Sequence, residues 1–421
     1  MADDAFMPQS ELLRTLFERG YVYQITDEAG LDEYAKSEMP IAYAGYDATA
    51  SSLHVGHLVS IMMLRRLQQA GGKPIVLMGG GTTKIGDPTD KEKSRPILTE
   101  EEIQKNINGI KSVFEKFLTF GDGPTDAVMV NNDDWLGKIN YLEFLRDYGK
   151  LFTINKMIMQ DTVKRRLENE QPYTFLEFNY ALLQAYDFVE LNRRLKVRLQ
   201  LGGSDQWGNI TNGTELCRRV ENVQAFGFTT PLLTTASGVK MGKTVGGAVW
   251  LNADLKSPYD YWQFWRNTED ADVGKFLKLF TDLPLDKIAE LESLKGAQIN
   301  DAKIALADAA TSMLHGEEAA KEANAAAAKV FAEGATADGM PSFDVAMSEI
   351  ESGYSVIDGF VASGLAKSKG EVRRHIKAGA AKLNGETITD ELATIGTADL
   401  ESDNTARLSI GKKRHARLTA N

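Results

Sequence analysis

"AGYDATASSLHVGH", residues 44–57, carries two of the chain's five histidines, His54 and His57, separated by Val55 and Gly56. The two histidines follow what reads as a strand and a polar turn. A helix beginning after that turn puts His54 and His57, at i and i+3, on one face. Its first-turn N–H groups would point at an anion, Gly56 would let that anion come close, and two imidazoles can donate to phosphate oxygens. By itself, H-x-G-H fits a phosphate site and two incidental helical histidines equally well.

Outward from this stretch, residues 45–246 read as α/β. Short apolar runs such as "PIVLM" (74–78) and "VRLQL" (197–201) are bounded by glycines, with amphipathic helical patterns between them. That alternation predicts a Rossmann-like parallel sheet with crossover helices, and a ligand at the carboxyl ends of the strands. The first domain is placed at 1–250. From about residue 257 the apolar spacing becomes helical, which predicts an α-helical domain over 251–333 ending in an alanine-rich helix at 317–333. "GATADGMPS" (334–342) opens a linker placed at 334–350. In the final module, 351–421, "VIDGFVASGL" and "KGEVRRHIKAG" read as short helices. "AAKLNGETITD" reads as a hairpin turning at Asn384-Gly385.

Composition narrows the class. Apolar residues are 43% and charged residues 25% of 421, ordinary for a soluble globular protein. The single cysteine, Cys217, excludes an internal disulfide framework and makes zinc a poor expectation. No apolar run suggests a secretory signal or a membrane span, so a cytoplasmic protein without membrane association is expected. The net charge is −11, but it is unevenly spread: 351–421 holds 11 Lys/Arg against 9 Asp/Glu, the remainder 37 against 50. An acidic body with a weakly basic tail can bind a polyanion locally, although solvated surface charge explains the numbers as well.

A second stretch, "SGVKMGKTVGG" (237–247), sets Lys240 and Lys243 around a glycine, with Thr244 adding a hydroxyl. Ammonium groups on a glycine-rich loop can follow triphosphate charge as it shifts during reaction. Alone it reads as a solvated basic turn; paired with H-x-G-H it does not. The pair resembles the HIGH-type and KMSKS-type signatures of the class I aminoacyl-tRNA synthetases, here "HVGH" and "KMGKT". Gly242 and Thr244 replace the usual serines, a pattern similar to the bacterial tyrosyl branch.

In "NYALLQAYDF" (179–188), Tyr180, Gln184 and Asp187 form a polar stripe on an otherwise apolar helix. Periodicity alone lets that stripe face water or floor a pocket. The resemblance implies the pocket. By it, Tyr43 and Asp187 hold the hydroxyl of L-tyrosine, while Tyr180, Gln184 and Asp87 hold its α-amino group. Gln206 and Asn132 complete the lining. Gly45, Asp47, Gly56, Gly203 and Asp205 would serve ATP or its ribose. Thr49 and His54 would serve the γ-phosphate of the departing pyrophosphate, His57 would contact the nucleotide, and Lys91, Arg95, Lys240, Lys243 and Thr244 would close over the leaving group.

The resemblance also implies activation by in-line attack of the tyrosine carboxylate on the α-phosphate of ATP. Mg²⁺ would accompany the nucleotide without a dedicated protein cage, and tRNA(Tyr) would then accept the tyrosyl group. A homodimer is implied as well. The tail module resembles a small α+β S4-type RNA-binding domain. Lys369, Arg373 and Lys377 lie on one helix face beside Arg374, and Lys412, Lys413 and Arg414 form a second basic cluster. Ala44 and Ala48 stand where relatives often carry cysteine and proline. A tryptophanyl relative, a nucleotidyltransferase and an RNA-binding protein without catalysis are the competing readings.

Overall fold

The computed structural model describes residues 6–89, 98–238, 241–244, 247–333, 342–401, 404–411 and 414–421, with only the backbone described at 243–244, 247, 330–333 and 342. Lys91, Arg95, Lys240, Lys412 and Lys413 lie outside the described residues, as do the side chains of Lys243 and Thr244. The chain divides into two compact units, Met1–Asn324 and Ala325–Asn421.

The first unit is built on a six-stranded sheet. Its strands are β1 (Gln24–Ile25), β2 (Ile41–Tyr46), β3 (Lys73–Met78), β4 (Val128–Asn131), β5 (Leu199–Gly203) and β6 (Phe226–Thr230), in the order β1-β6-β5-β2-β3-β4. All neighbours are parallel except β1 and β6. Near-continuous apolar runs explain the central strands: Pro74–Met78 of β3 and all of β6 are buried, as a parallel sheet covered on both faces requires. From β2 the chain proceeds outward to β3 and β4, then returns to the other side of β2 for β5. That reversal makes β2/β5 the topological switch point, where an open sheet leaves a crevice beyond its carboxyl ends.

The helix Val55–Gln69 follows β2, and Phe175–Leu195 precedes β5. The second begins with a capping box: Thr174 Oγ1 accepts from the Glu177 N–H, and a Glu177 carboxylate oxygen accepts from the Thr174 N–H at 2.9 Å. Helices then dominate, including Pro258–Arg266, Val273–Phe280 and Ile299–His315. They pack around Trp262, Trp265, Phe276 and Phe280, all buried. The alanine-rich helix runs Glu317–Glu333.

In the second unit, β9 (Ser342–Val345), β11 (Ala381–Leu383), β12 (Glu386–Thr387), β14 (Thr405–Ile410) and β15 (Arg414–Ala420) form one sheet. A two-stranded pair joins β10 (Tyr354–Ser355) to β13 (Thr394–Ile395). The hairpin turns at Asn384 and Gly385 with φ of 49° and 93°, the left-handed pair that the Asn-Gly turn demands. Two short helices, Val356–Ala362 and Lys369–Lys377, bury Phe360, Val372 and Ile376 against Leu408 and Leu418. One difference from the sequence reading stands out. Residues 342–345, assigned above to the linker, are a strand paired in parallel with β15. Alternation in "SFDV" is too short to register as a strand until β15 offers its edge.

Candidate active site

A cleft of about 450 Å³ opens at the switch point. Fifteen of the residues assigned above to tyrosine, ATP or phosphate line it: Tyr43, Gly45, Asp47, Thr49, His54, Gly56, His57, Asp87, Asn132, Tyr180, Gln184, Asp187, Gly203, Asp205 and Gln206. Six of them sit at or just past the end of a strand. Asp47 follows β2, Asn132 follows β4, and 204–206 follow β5. Asp187 and His54, on different elements, therefore share one cavity.

At its apolar end, Asp187 is only 2% exposed. Asn132 Nδ2 donates to its Oδ2 at 2.9 Å and Trp135 Nε1 donates to its Oδ1 at 2.8 Å. Burial pushes its carboxyl up to about 7; these two donors offset the rise in part, and the charges of Asp47 and Glu190 add to it. Tyr43 is 1% exposed, and its hydroxyl has no hydrogen-bond partner. Burial first, then the charge of Asp187, holds that phenol well above its ordinary pKa, so it remains a protonated donor. Gln200 Oε1, across from Tyr43 in the β2/β5 register, is buried without a partner as well. Orphaned buried polar atoms are rare in finished cores, and three line this one cleft, Gln184 Oε1 being the third.

Next comes a chain of polar side chains. Gln184 Nε2 donates to Gln206 Oε1 at 3.4 Å, and Gln206 Nε2 donates to Asp87 Oδ2 at 2.9 Å and to Asp205 Oδ2 at 3.2 Å. Tyr180 Oη donates to Asp47 Oδ2 at 3.4 Å, and Thr82 Oγ1 donates to Asp47 Oδ1 at 2.9 Å. The arrangement leaves an acceptor, Gln184 Oε1, amid carboxylates, suited to an ammonium group.

At the far end the histidines depart from the sequence reading. His54 is the N-cap of the 55–69 helix, and His57 is at N3. The Gly56 N–H donates to His54 Nδ1 at 3.0 Å, and the His54 N–H donates to His57 Nδ1 at 3.2 Å. The Val55 and His57 N–H groups are spent on Val249 O and His54 O. The first-turn amides expected to meet an anion are thus already satisfied. With both Nδ1 atoms accepting, each neutral ring carries its proton on Nε2, and that edge is the donor. Gly56 is required for a different reason than anion approach. A Cβ there would lie 2.7 Å from His54 Cε1.

Gly242 has φ of +96°, and a Cβ on it would fall 2.8 Å from Gly56 N. The glycines of "HVGH" and "KMGKT" therefore pack on one another, which accounts for glycine in place of serine. Met241 lines the cleft beside them. Sequence reasoning missed Thr82, Trp135 and Gln200. Each holds or faces a site residue across the fold, and none belongs to a local pattern that could have revealed it. In the second unit the basic helix face is partly neutralised, Lys369 by Asp358 at 2.6 Å, and Arg373 and Lys377 by Glu391 at 3.3 and 3.4 Å. Arg414 donates to Leu365 O. Among the described residues, no group of three or more His, Cys, Asp or Glu is placed to hold a metal ion.

Residues 35–332 match a family model described as tRNA synthetases class I (W and Y), and 332–418 match one described as the tyrosine–tRNA ligase SYY-like C-terminal domain. The chain is 61% identical over 406 residues to the tyrosine–tRNA ligase of Caulobacter vibrioides, covering 96% of this chain and 97% of that one. It is 58% identical to that of Zymomonas mobilis, covering 98% and 99%. Among solved structures, a C-terminally truncated mitochondrial tyrosyl-tRNA synthetase of Aspergillus nidulans superposes with a TM-score of 0.70 at 30% identity, over 77% of this chain and 95% of that one. The tryptophanyl-tRNA synthetase of Plasmodium falciparum, at 13% identity and a TM-score of 0.52, shares the fold alone. With the family model matched over residues 35–332 and this identity along almost its whole length, the chain belongs to the tyrosine–tRNA ligase family of class I tRNA synthetases.

Proposed function

We infer that this chain is a tyrosine–tRNA ligase that activates L-tyrosine with ATP and transfers it to tRNA(Tyr). The observation that carries the choice of amino acid is the buried Asp187 beside the partnerless hydroxyl of Tyr43. A phenol between them donates to the carboxylate and accepts from Tyr43. Phenylalanine would leave the Tyr43 hydroxyl buried and unpaired, at about 1–3 kcal/mol, and would offer no donor to Asp187 beyond those of Asn132 and Trp135. An indole N–H could satisfy Asp187 but has nothing to accept the Tyr43 proton, which disfavours tryptophan.

The α-amino group then sits by Gln184 Oε1, Tyr180 and Asp87, directing the carboxylate toward the histidine end. A carboxylate oxygen attacks the α-phosphorus of ATP, the bond to the β-phosphate breaks, and pyrophosphate leaves with its charge. No side chain becomes covalently attached. Catalysis is positioning plus stabilisation of phosphate charge. The Nε2 edge of His54, with Thr49, serves the departing phosphates and that of His57 the nucleotide, while Lys91, Arg95, Lys240 and Lys243 supply positive charge over the leaving group and Thr244 a hydroxyl. Asp47 and Asp205 serve the nucleotide, with Gly45 and Gly203 leaving it room and Gly56 leaving space for the His54 ring that meets it. Mg²⁺ enters with ATP as part of the substrate. The terminal ribose hydroxyl of the tRNA then attacks the tyrosyl carbonyl and AMP leaves.

The working division is a catalytic domain at 1–250, a helical domain at 251–333 and an S4-like domain at 351–421. The last binds tRNA through Lys369, Arg373, Arg374, Lys377, Lys412, Lys413 and Arg414. A homodimer is supported by segment 141–176. It holds eight of the fourteen large hydrophobics exposed among the described residues, Leu142 and Phe175 the most open of the eight at 74% and 68%. Among the described residues no helix is long and apolar enough to cross a membrane, and the enzyme is proposed to act in the cytoplasm. The test is ATP–pyrophosphate exchange with each of the twenty amino acids. Tyrosine alone should support it, and exchange with tryptophan or with none would overturn the assignment.

A further inference from the structure

The two signature motifs are joined by more than the glycine contact. Segment 249–251 runs antiparallel to 53–55: Val55 N–H donates to Val249 O at 2.9 Å, Leu251 N–H donates to Leu53 O at 2.9 Å, and His54 bridges Trp250. Upstream of this ladder are the backbone strands β7 (Lys243–Thr244) and β8 (Gly247–Ala248), which pair with each other. Downstream of it is Asn252, half-buried and not among the residues lining the cleft.

The Asn252 side chain uses both ends. Its Oδ1 accepts from Ser52 Oγ at 2.5 Å, in the turn preceding His54. Its Nδ2 donates to Gly109 O and to Ser112 Oγ, each at 3.1 Å, on the helix Glu100–Phe117. Its backbone N–H donates to Ser52 Oγ at 3.2 Å. The same helix presses on the turn independently. Asn106 Nδ2 donates to Ala48 O at 2.8 Å, and a Cβ on Gly109 would lie 2.1 Å from Ser51 O.

Resting on the reading of the cleft as a tyrosine and ATP site, we propose that Asn252 is a positioning residue for adenylate formation, tying the ladder that carries both motifs to the 100–117 helix. It touches no substrate. It holds the His54 turn and the strand leading back to Lys243 in one register, so its loss should weaken the histidine end of the cleft and spare the tyrosine end, where Asn132 and Trp135 hold Asp187 through hydrogen bonds that do not involve Asn252.

The experiment is steady-state pyrophosphate exchange on the full chain for Asn252→Ala, Ser52→Ala and the pair, with tyrosine affinity by equilibrium dialysis and thermal unfolding as a check on folding. Expected for Asn252→Ala is a fall in kcat/KM for ATP of at least about fivefold, since small misplacements of reacting groups are amplified in rate. Tyrosine Kd and KM stay within about twofold, and adding Ser52→Ala lowers the ATP value by less than the product of the single effects. If the alanine variant does not fold, Asn252→Asp decides, because it keeps the size and loses the Nδ2 donors. A smaller fall for ATP, a tyrosine KM rising in step with that for ATP, or multiplying effects in the pair would each overturn the proposal while the parent remains active. A parent without tyrosine-dependent exchange overturns the functional reading and this proposal with it.

Discussion

Replacing Tyr43 by phenylalanine should move stability and activity in opposite directions. In the ligand-free protein the Tyr43 hydroxyl is buried and bonded to nothing. Its removal breaks no internal hydrogen bond and relieves a desolvation penalty of about 1–3 kcal/mol. The ring stays packed edge-on against Phe188, centroids 5.2 Å apart, because only the oxygen is lost. With tyrosine bound, the same hydroxyl would donate to the substrate phenol, a net interaction of about 0.5–1.5 kcal/mol, or between about twofold and thirteenfold in kcat/KM. Phenylalanine, with no phenol to bond, should be used no worse by the variant, so preference for tyrosine over phenylalanine falls by at least the same factor. The assay pairs denaturant unfolding of the ligand-free variant with pyrophosphate exchange on both amino acids. A variant less stable than the parent, or one with undiminished tyrosine kcat/KM, would refute the reasoning, because the hydroxyl would then have a partner within the fold or none in the complex.

Asp187 gives a pH dependence. Its carboxyl is raised by burial to about 7, so its neutral form favours the fold. That contribution is present below the ordinary carboxylate range and is lost as pH rises through about 7. Asp187→Asn should therefore flatten the decline in stability of the ligand-free protein between about pH 4 and 7, as read by unfolding free energy against pH. The ionised form accepts the substrate phenol, so tyrosine KM in the parent should fall as pH rises through the same interval. Gly242→Ala forces a side chain into left-handed backbone at about 1–2 kcal/mol and against Gly56 N. Exchange should slow by roughly fivefold to thirtyfold, with tyrosine affinity unchanged by equilibrium dialysis. Ending the chain at Glu333 should preserve exchange and abolish tRNA charging. Ending it at residue 350 instead leaves β9 without β15, and that truncation should aggregate more readily in light scattering.

Several features were legible from local pattern because local physics decides them. Apolar runs bounded by glycine marked β3 and β5 to within two residues, and Asn384-Gly385 dictated a turn that few other pairs can make. The chemistry of the site was legible only as residue types at suggestive spacings. The stripe of Tyr180, Gln184 and Asp187 has the same periodicity whether it faces water or a pocket. His54 and His57 could be placed on one helix face, but their protonated edges depend on which backbone amides reach Nδ1. Val249, nearly 200 residues downstream, takes one of the amides that local reasoning had left for an anion.

From its residues alone, then, this protein is a parallel α/β chain with two phosphate-suited motifs and a basic tail, because hydrophobic period, turn chemistry and charge act over a few neighbours. That Gly242 closes on Gly56, that Trp135 and Asn132 grip Asp187, and that Tyr43 is left without a partner were settled only by tertiary packing. Those contacts span between about 50 and 190 positions, and burial, which sets both the pKa of Asp187 and the value of an unpaired hydroxyl, exists only once the sheet and its helices have closed.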